Sequence, residues 1–218
     1  MNECKKEKRG EGINFFNVDN IEFMKTTPDN FYDLAIVDPP YGLGNKLAHA
    51  GNGKNAQSKF TADFKSKNWD NEIPPPEYWE QLFRVSKNQI IWGGNYFLDY
   101  LTATRCFVAW DKMVFIPSMS RIEMAWTSFD RLPKYIQINN NDSNRIHLTQ
   151  KPVKLYEYLL HEFSDDDFKI IDTHGGSFTH AIAAHNMKCN LDIMDKDKDY
   201  YNNGMEAYNL HKRQLQLF

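Results

Sequence analysis

The sequence predicts an α/β fold on a mostly parallel sheet with an antiparallel strand, and three observations carry the prediction. A strand–helix–strand unit occupies residues 13–42. Its second strand, Asp33-Leu34-Ala35-Ile36-Val37, is a continuous apolar run of the kind buried on both faces of a parallel sheet. From Pro152 onward, helix and strand alternate again, the rhythm of a doubly wound protein.

The elements follow in order. Residues 13–16 (INFF) are a short strand, and IEFMKTT has helical spacing of apolar residues. Pro28-Asp29-Asn30 turns the chain into the 33–37 strand, which Asp38-Pro39-Pro40-Tyr41-Gly42 ends. Residues 43–68 are rich in Gly, Asn, Lys and Ser and lack periodicity, so a mobile basic loop is expected there. Pro74-Pro75-Pro76 opens a helix from Glu77 to Val85. Asn88 to Trp92 is a buried-type strand stopped by Gly93-Gly94-Asn95. CFVAW (106–110) and IEMAWTSF (122–129) form two later strands, paired antiparallel. Residues 130–149 are polar and show little pattern. Pro152 to Phe163 is a helix, FKIID (168–172) a strand, and HGGSFT (174–179) a turn. Ala181 to Asn186 is a helix, LDIM (191–194) a strand, and Asp199 to Leu210 a final helix.

With 218 residues the chain forms one domain, 1–218, able to hold a core without disulfides or metal. Hydrophobic residues at 41% and charged residues at 25% exclude a disordered chain. No apolar stretch approaches membrane-spanning length, and the polar, basic first ten residues do not resemble a signal peptide. Three widely spaced cysteines (Cys4, Cys106, Cys189) fit neither a disulfide framework nor a zinc site. A soluble, cytoplasmic protein without a metal is expected. Net charge is −3, so the chain is no basic nucleic-acid coat. Yet Gly42–Asn68 carries five lysines against one acid, Asp63, while Leu155–Tyr200 carries ten acids against four lysines. That asymmetry suits a polyanion held at one edge, or a solvated loop.

The strand end at Asp38 carries the chemistry. Ligands of open α/β sheets bind outside the carboxyl ends of strands. Pro40 holds Pro39 extended, and neither proline offers an N–H, so the Pro39 carbonyl can face a ligand as a bare acceptor. Asp38 is a second acceptor, with two oxygens. Two adjacent acceptors suit an –NH2 group, and the Tyr41 ring can stack on the heterocycle that carries it. Holding both hydrogens favours the pyramidal amine, whose lone pair then points at an electrophile. A Pro-Pro turn capped by Asp is the plainer alternative.

Asp38-Pro39-Pro40-Tyr41 resembles the catalytic motif of S-adenosylmethionine-dependent DNA amino-methyltransferases, in its adenine form. Further similarities run in the permuted order of that family's beta group, catalytic half first, as in small phage-type members and restriction-modification enzymes. Asn17-Val18-Asp19 resembles the segment whose Asp lies near the cofactor. His147-Leu148-Thr149-Gln150-Lys151-Pro152 is similar to the motif that contacts the cofactor's methionine end. Asp172 to Thr179 resembles the glycine-rich cofactor loop, and Asp195 stands where an acid takes the ribose hydroxyls. Trp92-Gly93-Gly94-Asn95-Tyr96-Phe97 and Trp110-Asp111-Lys112 are similar to segments of phage-type members.

The resemblance implies a three-layer Rossmann-like methyltransferase fold and methyl transfer to the N6 amine of adenine in DNA. It implies catalytic Asp38, Pro39, Pro40 and Tyr41. It implies cofactor contacts from Asp19, Asp38, Thr149, Gln150, Lys151, Asp172, His174, Gly175, Gly176, Ser177, Thr179 and Asp195. Residues 147–210 are then the cofactor half, 99–146 a small target-recognition region, and Lys46, Lys54 and Lys59 phosphate contacts. Cytosine N4, RNA, or a non-catalytic DNA-binding relative stay open, as does monomer against homodimer.

The cofactor loop departs from the family's Phe-x-Gly-x-Gly and reads His174-Gly175-Gly176-Ser177-Phe178. Phe178 either turns inward and obstructs the pocket or turns into the sheet–helix core. The second is expected, because Ala181 and Ile182 continue an apolar face from it. The aromatics at 78, 79, 92, 96, 110 and 126 are expected in the core.

Overall fold

Consecutive apolar residues in one strand need an apolar partner on each side of the sheet. Leu34 and Ile36 pack into one core with Ile90, Trp92, Ile170, Leu191 and Ile193, while Ala35 and Val37 pack into another with Ile91, Ile171 and Met194. That alternation fixes a three-layer structure, helices on both faces of one sheet. The computed structural model describes residues 12–44, 70–114, 120–140 and 150–215.

The strands are β1 (Ile13–Phe16), β2 (Tyr32–Val37), β3 (Ser86–Trp92), β4 (Phe107–Asp111), β5 (Ile122–Thr127), β6 (Lys134–Gln137), β7 (Lys169–Asp172) and β8 (Asn190–Met194). They form one eight-stranded sheet in the order β1-β8-β7-β2-β3-β5-β4-β6. Among the described residues, β5 alone runs against the rest, antiparallel to β3 and β4. The 106–110 and 122–129 strands thus pair antiparallel as expected. The polar stretch after them, expected to lack pattern, contains β6, a four-residue edge strand parallel to β4. Only Ile136 of β6 packs on the core, too little to leave a period in the sequence.

The helices are α1 (Asn20–Lys25), α2 (Pro76–Val85), α3 (Val153–Phe163), α4 (Thr179–Met187) and α5 (Lys198–Leu215). Helix α2 starts with Pro76 at its first turn; of the face expected from its spacing, Tyr78, Trp79 and Leu82 are buried, while Phe83 is only partly buried and Val85 takes the fourth core position. It lies with α1 over one face. Helices α3, α4 and α5 cover the other through Leu155, Leu159, Phe163, Ala181, Ala184 and Tyr208. No helix among the described residues is long and apolar enough to cross a membrane.

Phe178 turns into the core, as expected. It is fully buried, with ring centroids 5.3 Å from Phe15 and 5.7 Å from Tyr201. It also caps α4 with φ 55° and ψ 24°, a left-handed backbone that costs an L-residue roughly 1–2 kcal/mol. Two glycines make room for its ring: a Cβ on Gly204 would stand 2.6 Å from Phe178 Cγ, and one on Gly175 would strike Cε1. Phe178→Ala is expected to lose about 3–5 kcal/mol of stability, as large-to-small core changes do. Phe178→Gly should be the milder variant by about 1 kcal/mol, because glycine accepts the left-handed backbone. Urea unfolding of the two variants measures the difference.

Candidate active site

The chain leaves β2 through α2 to β3 on one side, and leaves neighbouring β7 through α4 to β8 on the other. Beyond the carboxyl ends of β2 and β7 the crossovers therefore diverge, which opens a crevice at the topological switch point. Asp38 follows β2, and Thr173 and His174 follow β7. The ends of β8 and β1 add Asp195 and Asn17. On the far side of β2, Gly93 ends β3, and the reversed β5 brings Glu123 to the same edge.

Asp38 is not the uncommitted pair of acceptors that its sequence suggests. Tyr41 donates its hydroxyl to Asp38 Oδ1 at 2.7 Å, and Lys151 Nζ donates to Oδ2 at 2.5 Å. The Asp38 side chain is 19% exposed and Lys151 3%. Lys151 also lies 3.5 Å from Glu123, which pairs with Lys112 at 2.6 Å. Two carboxylates and two ammonium groups thus form one neutral chain, and no buried charge is left uncompensated. Burial pushes the Asp38 pKa up, against the pull of Lys151. Burial works to lower the Lys151 pKa, but the Asp38 and Glu123 carboxylates overcome it and hold it raised. Burial likewise works to raise Glu123, and Lys151 and Lys112 together keep it lowered.

Tyr41 stacks on Tyr96, centroids 4.9 Å apart and planes 17° from parallel. Gly93, at φ +68°, gives the ring its place: any Cβ there would collide with it. Tyr96 itself is 42% exposed, so its expected core position is corrected. It sits on the short 3-10 turn Gly94–Tyr96, outside the strand that buries Trp92. Tyr78, Trp79, Trp92, Trp110 and Trp126 are buried as expected.

The residue that shapes the loop after Asp38 is one the sequence did not mark. Asp70 Oδ1 accepts the amides of Tyr41 at 2.6 Å and Gly42 at 3.1 Å, and Oδ2 accepts that of Leu43 at 3.2 Å. Its carbonyl takes the Gly44 amide at 2.8 Å. Burial raises its pKa against those three donors. An Asp between Trp69 and Asn71 carries no spacing signal, so only the fold reveals it. Glu123 did leave a signal, an acid inside the apolar run IEMAWT.

On the β7 side of the crevice, Asp172 organises the loop 173–178. Its Oδ1 accepts the His174 amide at 3.0 Å, and its Oδ2 pairs with His180 Nδ1 at 2.9 Å. His180 is stacked on Tyr156 at 4.5 Å. Asn20 donates its amide to the Thr173 carbonyl and to His174 Nε2, both at 3.2 Å. His174 Nε2 is therefore the acceptor, and Nδ1 carries the proton, 2.9 Å from Thr173 Oγ1. Burial lowers the His174 pKa to about 4, so it is a neutral wall at neutral pH. Gly176 has φ +53°, and the direction of its missing Cβ meets nothing nearer than the His174 carbonyl at 4.0 Å. Asp195 Oδ2 accepts the Gly176 amide at 3.0 Å, and burial raises the Asp195 pKa to about 6. Ser177 and Thr179 are buried, their hydroxyls 3.5 Å apart, and Gln150 is half-buried.

Asp19 is exposed and caps α1, accepting the amides of Ile21 and Glu22. Its place at the end of β1 brings it to the site's edge, and the cap accounts for its presence there without a ligand. Lys151, expected at the cofactor's methionine end, is engaged by Asp38. Thr149 and the lysines Lys46, Lys54 and Lys59 lie outside the described residues, as does nearly all of the 43–68 loop.

The architecture matches solved structures. The M1.HpyAVI–S-adenosylmethionine complex shares 16% identity over 90% of this chain and 100% of that chain, with a TM-score of 0.60. The two chains share a Rossmann-like α/β fold. The cytosine-N4-specific PvuII DNA methyltransferase matches with 14% identity over 90% of this chain and 85% of that chain, TM-score 0.60. A putative DNA modification methylase of Thermus thermophilus, TTHA0409, complexed with S-adenosyl-L-methionine, matches with 14% identity over 91% of this chain and 95% of that chain, TM-score 0.56. A DNA methylase family model matches residues 110–206, from β4 into α5. No curated protein matches the chain in sequence.

Replacing Asp70 by Ala should free the loop after Asp38 before it unfolds the sheet. The amides of Tyr41, Gly42 and Leu43 are expected to exchange hydrogen about 10–100-fold faster, equivalent to ~1.5–3 kcal/mol for bonds to a charged acceptor. Amides of β2 and β7 should keep their protection, which site-resolved exchange measures directly.

Proposed function

We propose that this chain transfers a methyl group from S-adenosylmethionine to the N6 amine of adenine in DNA. The observation that carries the reading is one of placement. Asp38-Pro39-Pro40-Tyr41 and the glycine loop 174–178 come from chain segments far apart, and the sheet sets them on the two sides of one switch point.

The residues present fit that cofactor. Gly176 exposes backbone toward open space at the start of α4, where amide groups can approach a ligand. Asp195, at the end of the next strand, offers a carboxylate for ribose hydroxyls, and neutral His174 with Asn20 walls the loop. Bound there, S-adenosylmethionine supplies a methyl group activated by its sulfonium. The chain's own part lies at the amine. Asp38 and the Pro39 carbonyl accept its two hydrogens and turn its lone pair outward, and Tyr41 faces the heterocycle. The proton that the methylated nitrogen must lose passes to an acceptor, and the ionised Asp38 already holds that hydrogen. A base inside a duplex cannot reach Asp38, so it leaves the stack. Lys46, Lys54 and Lys59 then contact phosphates without reading sequence. Strands β4–β6 end the sheet and lie within 99–146, the small recognition region of this reading, which would make recognition short or loose.

Cytosine N4 is the second reading, because the cytosine-N4-specific PvuII structure fits as well as M1.HpyAVI. Nucleoside mass spectrometry of DNA from cells expressing the chain decides: N6-methyladenine supports the first reading, N4-methylcytosine the second. Calorimetric titration with S-adenosylmethionine answers the non-catalytic alternative, which predicts no binding.

Asp38→Asn should keep the fold and most cofactor affinity and lower turnover by about 10²–10³-fold, the usual loss for one preorganised polar group. The Asn amide would present its own hydrogens to the amine. Near-normal turnover defeats the mechanism.

Cofactor affinity should also depend on Asp195. Its pKa is raised, so the ionised acceptor exists above about pH 6 and is lost as pH falls through that value. Affinity is expected to be level above about pH 7 and to decline below about pH 6, with the decline absent in Asp195→Asn. Titrations across that range give the profile.

A further inference from the structure

We propose that Glu123 is a positioning residue: it draws the Lys151 ammonium off Asp38 as Asp38 takes the target amine. The proposal rests on the methyl-transfer reading above and names a residue outside its motifs.

Lys151 Nζ stands between two carboxylates, 2.5 Å from Asp38 Oδ2 and 3.5 Å from Glu123 Oε2. The ring of Trp92 lies 5.1 Å from it and that of Tyr41 5.9 Å, so aromatic faces line the interval. A charge-assisted hydrogen bond is roughly twice as strong as a neutral one. An amine N–H therefore competes poorly for an oxygen that already holds an ammonium. A shift of about 1 Å toward Glu123 relieves the competition and leaves the ammonium paired. Without a second carboxylate, the same shift would strand a buried charge.

Glu123 is itself restrained. Lys112 binds its Oε1 at 2.6 Å, so it is a partner for Lys151 of moderated strength. In the apolar strand β5, a half-buried acid has no packing value, and its two cations account for its presence. The groups that face Asp38 are Tyr41 on its own loop, Asp70 before α2, Glu123 on β5, Lys151 before α3 and Tyr156 on α3; Lys112, after β4, reaches it only through Glu123.

Two substitutions should move Asp38 in opposite directions. Glu123→Gln hands Lys151 wholly to Asp38 and removes a like charge. Lys112→Gln leaves Glu123 with Lys151 as its main partner and so pulls Lys151 away. The experiment is carboxyl NMR titration of the full chain with ¹³C-labelled aspartate, Asp38 being assigned by its loss in Asp38→Asn. The Asp38 midpoint is expected to fall by about one pH unit in Glu123→Gln and to rise in Lys112→Gln, the scale of a charge within ~4–6 Å. Single-turnover methyl transfer by Glu123→Gln should drop about tenfold, below the ~10²–10⁴-fold usual for a group that itself transfers the proton. Calorimetric affinity for S-adenosylmethionine should stay unchanged, and Glu123→Asp should restore part of the rate. Midpoints that stay fixed or move together overturn the proposal, as does a Glu123→Gln rate equal to wild type. If the unaltered chain methylates no DNA, the functional reading fails and this proposal with it. Wild-type activity beside an indifferent Glu123→Gln removes this proposal alone.

Discussion

The ion pair between Asp38 and Lys151 is the joint on which the site depends. It ties the end of β2 to the segment that enters α3, 113 residues later in the chain. Each partner is buried, and each offsets the other's charge there. Tyr41 hangs on Asp38, Glu123 on Lys151, and Lys112 on Glu123, so the whole group of side chains takes its position from one contact. The sheet order is what makes the contact available, because it sets β2 beside β7 and turns β5 around.

A second constraint holds the loop after Asp38 from the outside. Two consecutive prolines remove the N–H groups that would tether a turn to the sheet. The amides that remain, from Tyr41 to Leu43, all converge on Asp70. The loop is thus suspended between a cation on one side and a carboxylate on the other. Such suspension suits a segment that must present acceptors at fixed positions while its own backbone donors are engaged elsewhere.

Much of this was legible in the sequence. Buried strands with apolar runs on both faces and amphipathic helices such as α2 are set by burial alone, so their residues state them directly. The place of Asp38-Pro39-Pro40-Tyr41 at the end of a buried strand was legible, but the partners that Asp38 takes there were not. Other long-range polar partners were not legible either. Asp70 acts on residues 27 to 29 positions before it in the chain, and no periodicity connects them. Asp19 and Asp172 show a different limit: a carboxylate at a strand end serves a ligand or an amide equally well, and only geometry shows the amide. Strand β6 was missed because a single core-facing residue writes no pattern.

The ring of Phe178 occupies space that Gly175 and Gly204 leave open, one glycine in the cofactor loop and one on α5. The three positions behave as a lock with three tumblers. A chain that acquired the phenylalanine first would have had to accommodate it against any side chain on α5. A chain that lost it first would carry two glycines with nothing to fill the space between them. Lineages of this fold should therefore exchange these residues as a set, and the identity at 204 becomes a marker of which loop a sequence carries at 174–178.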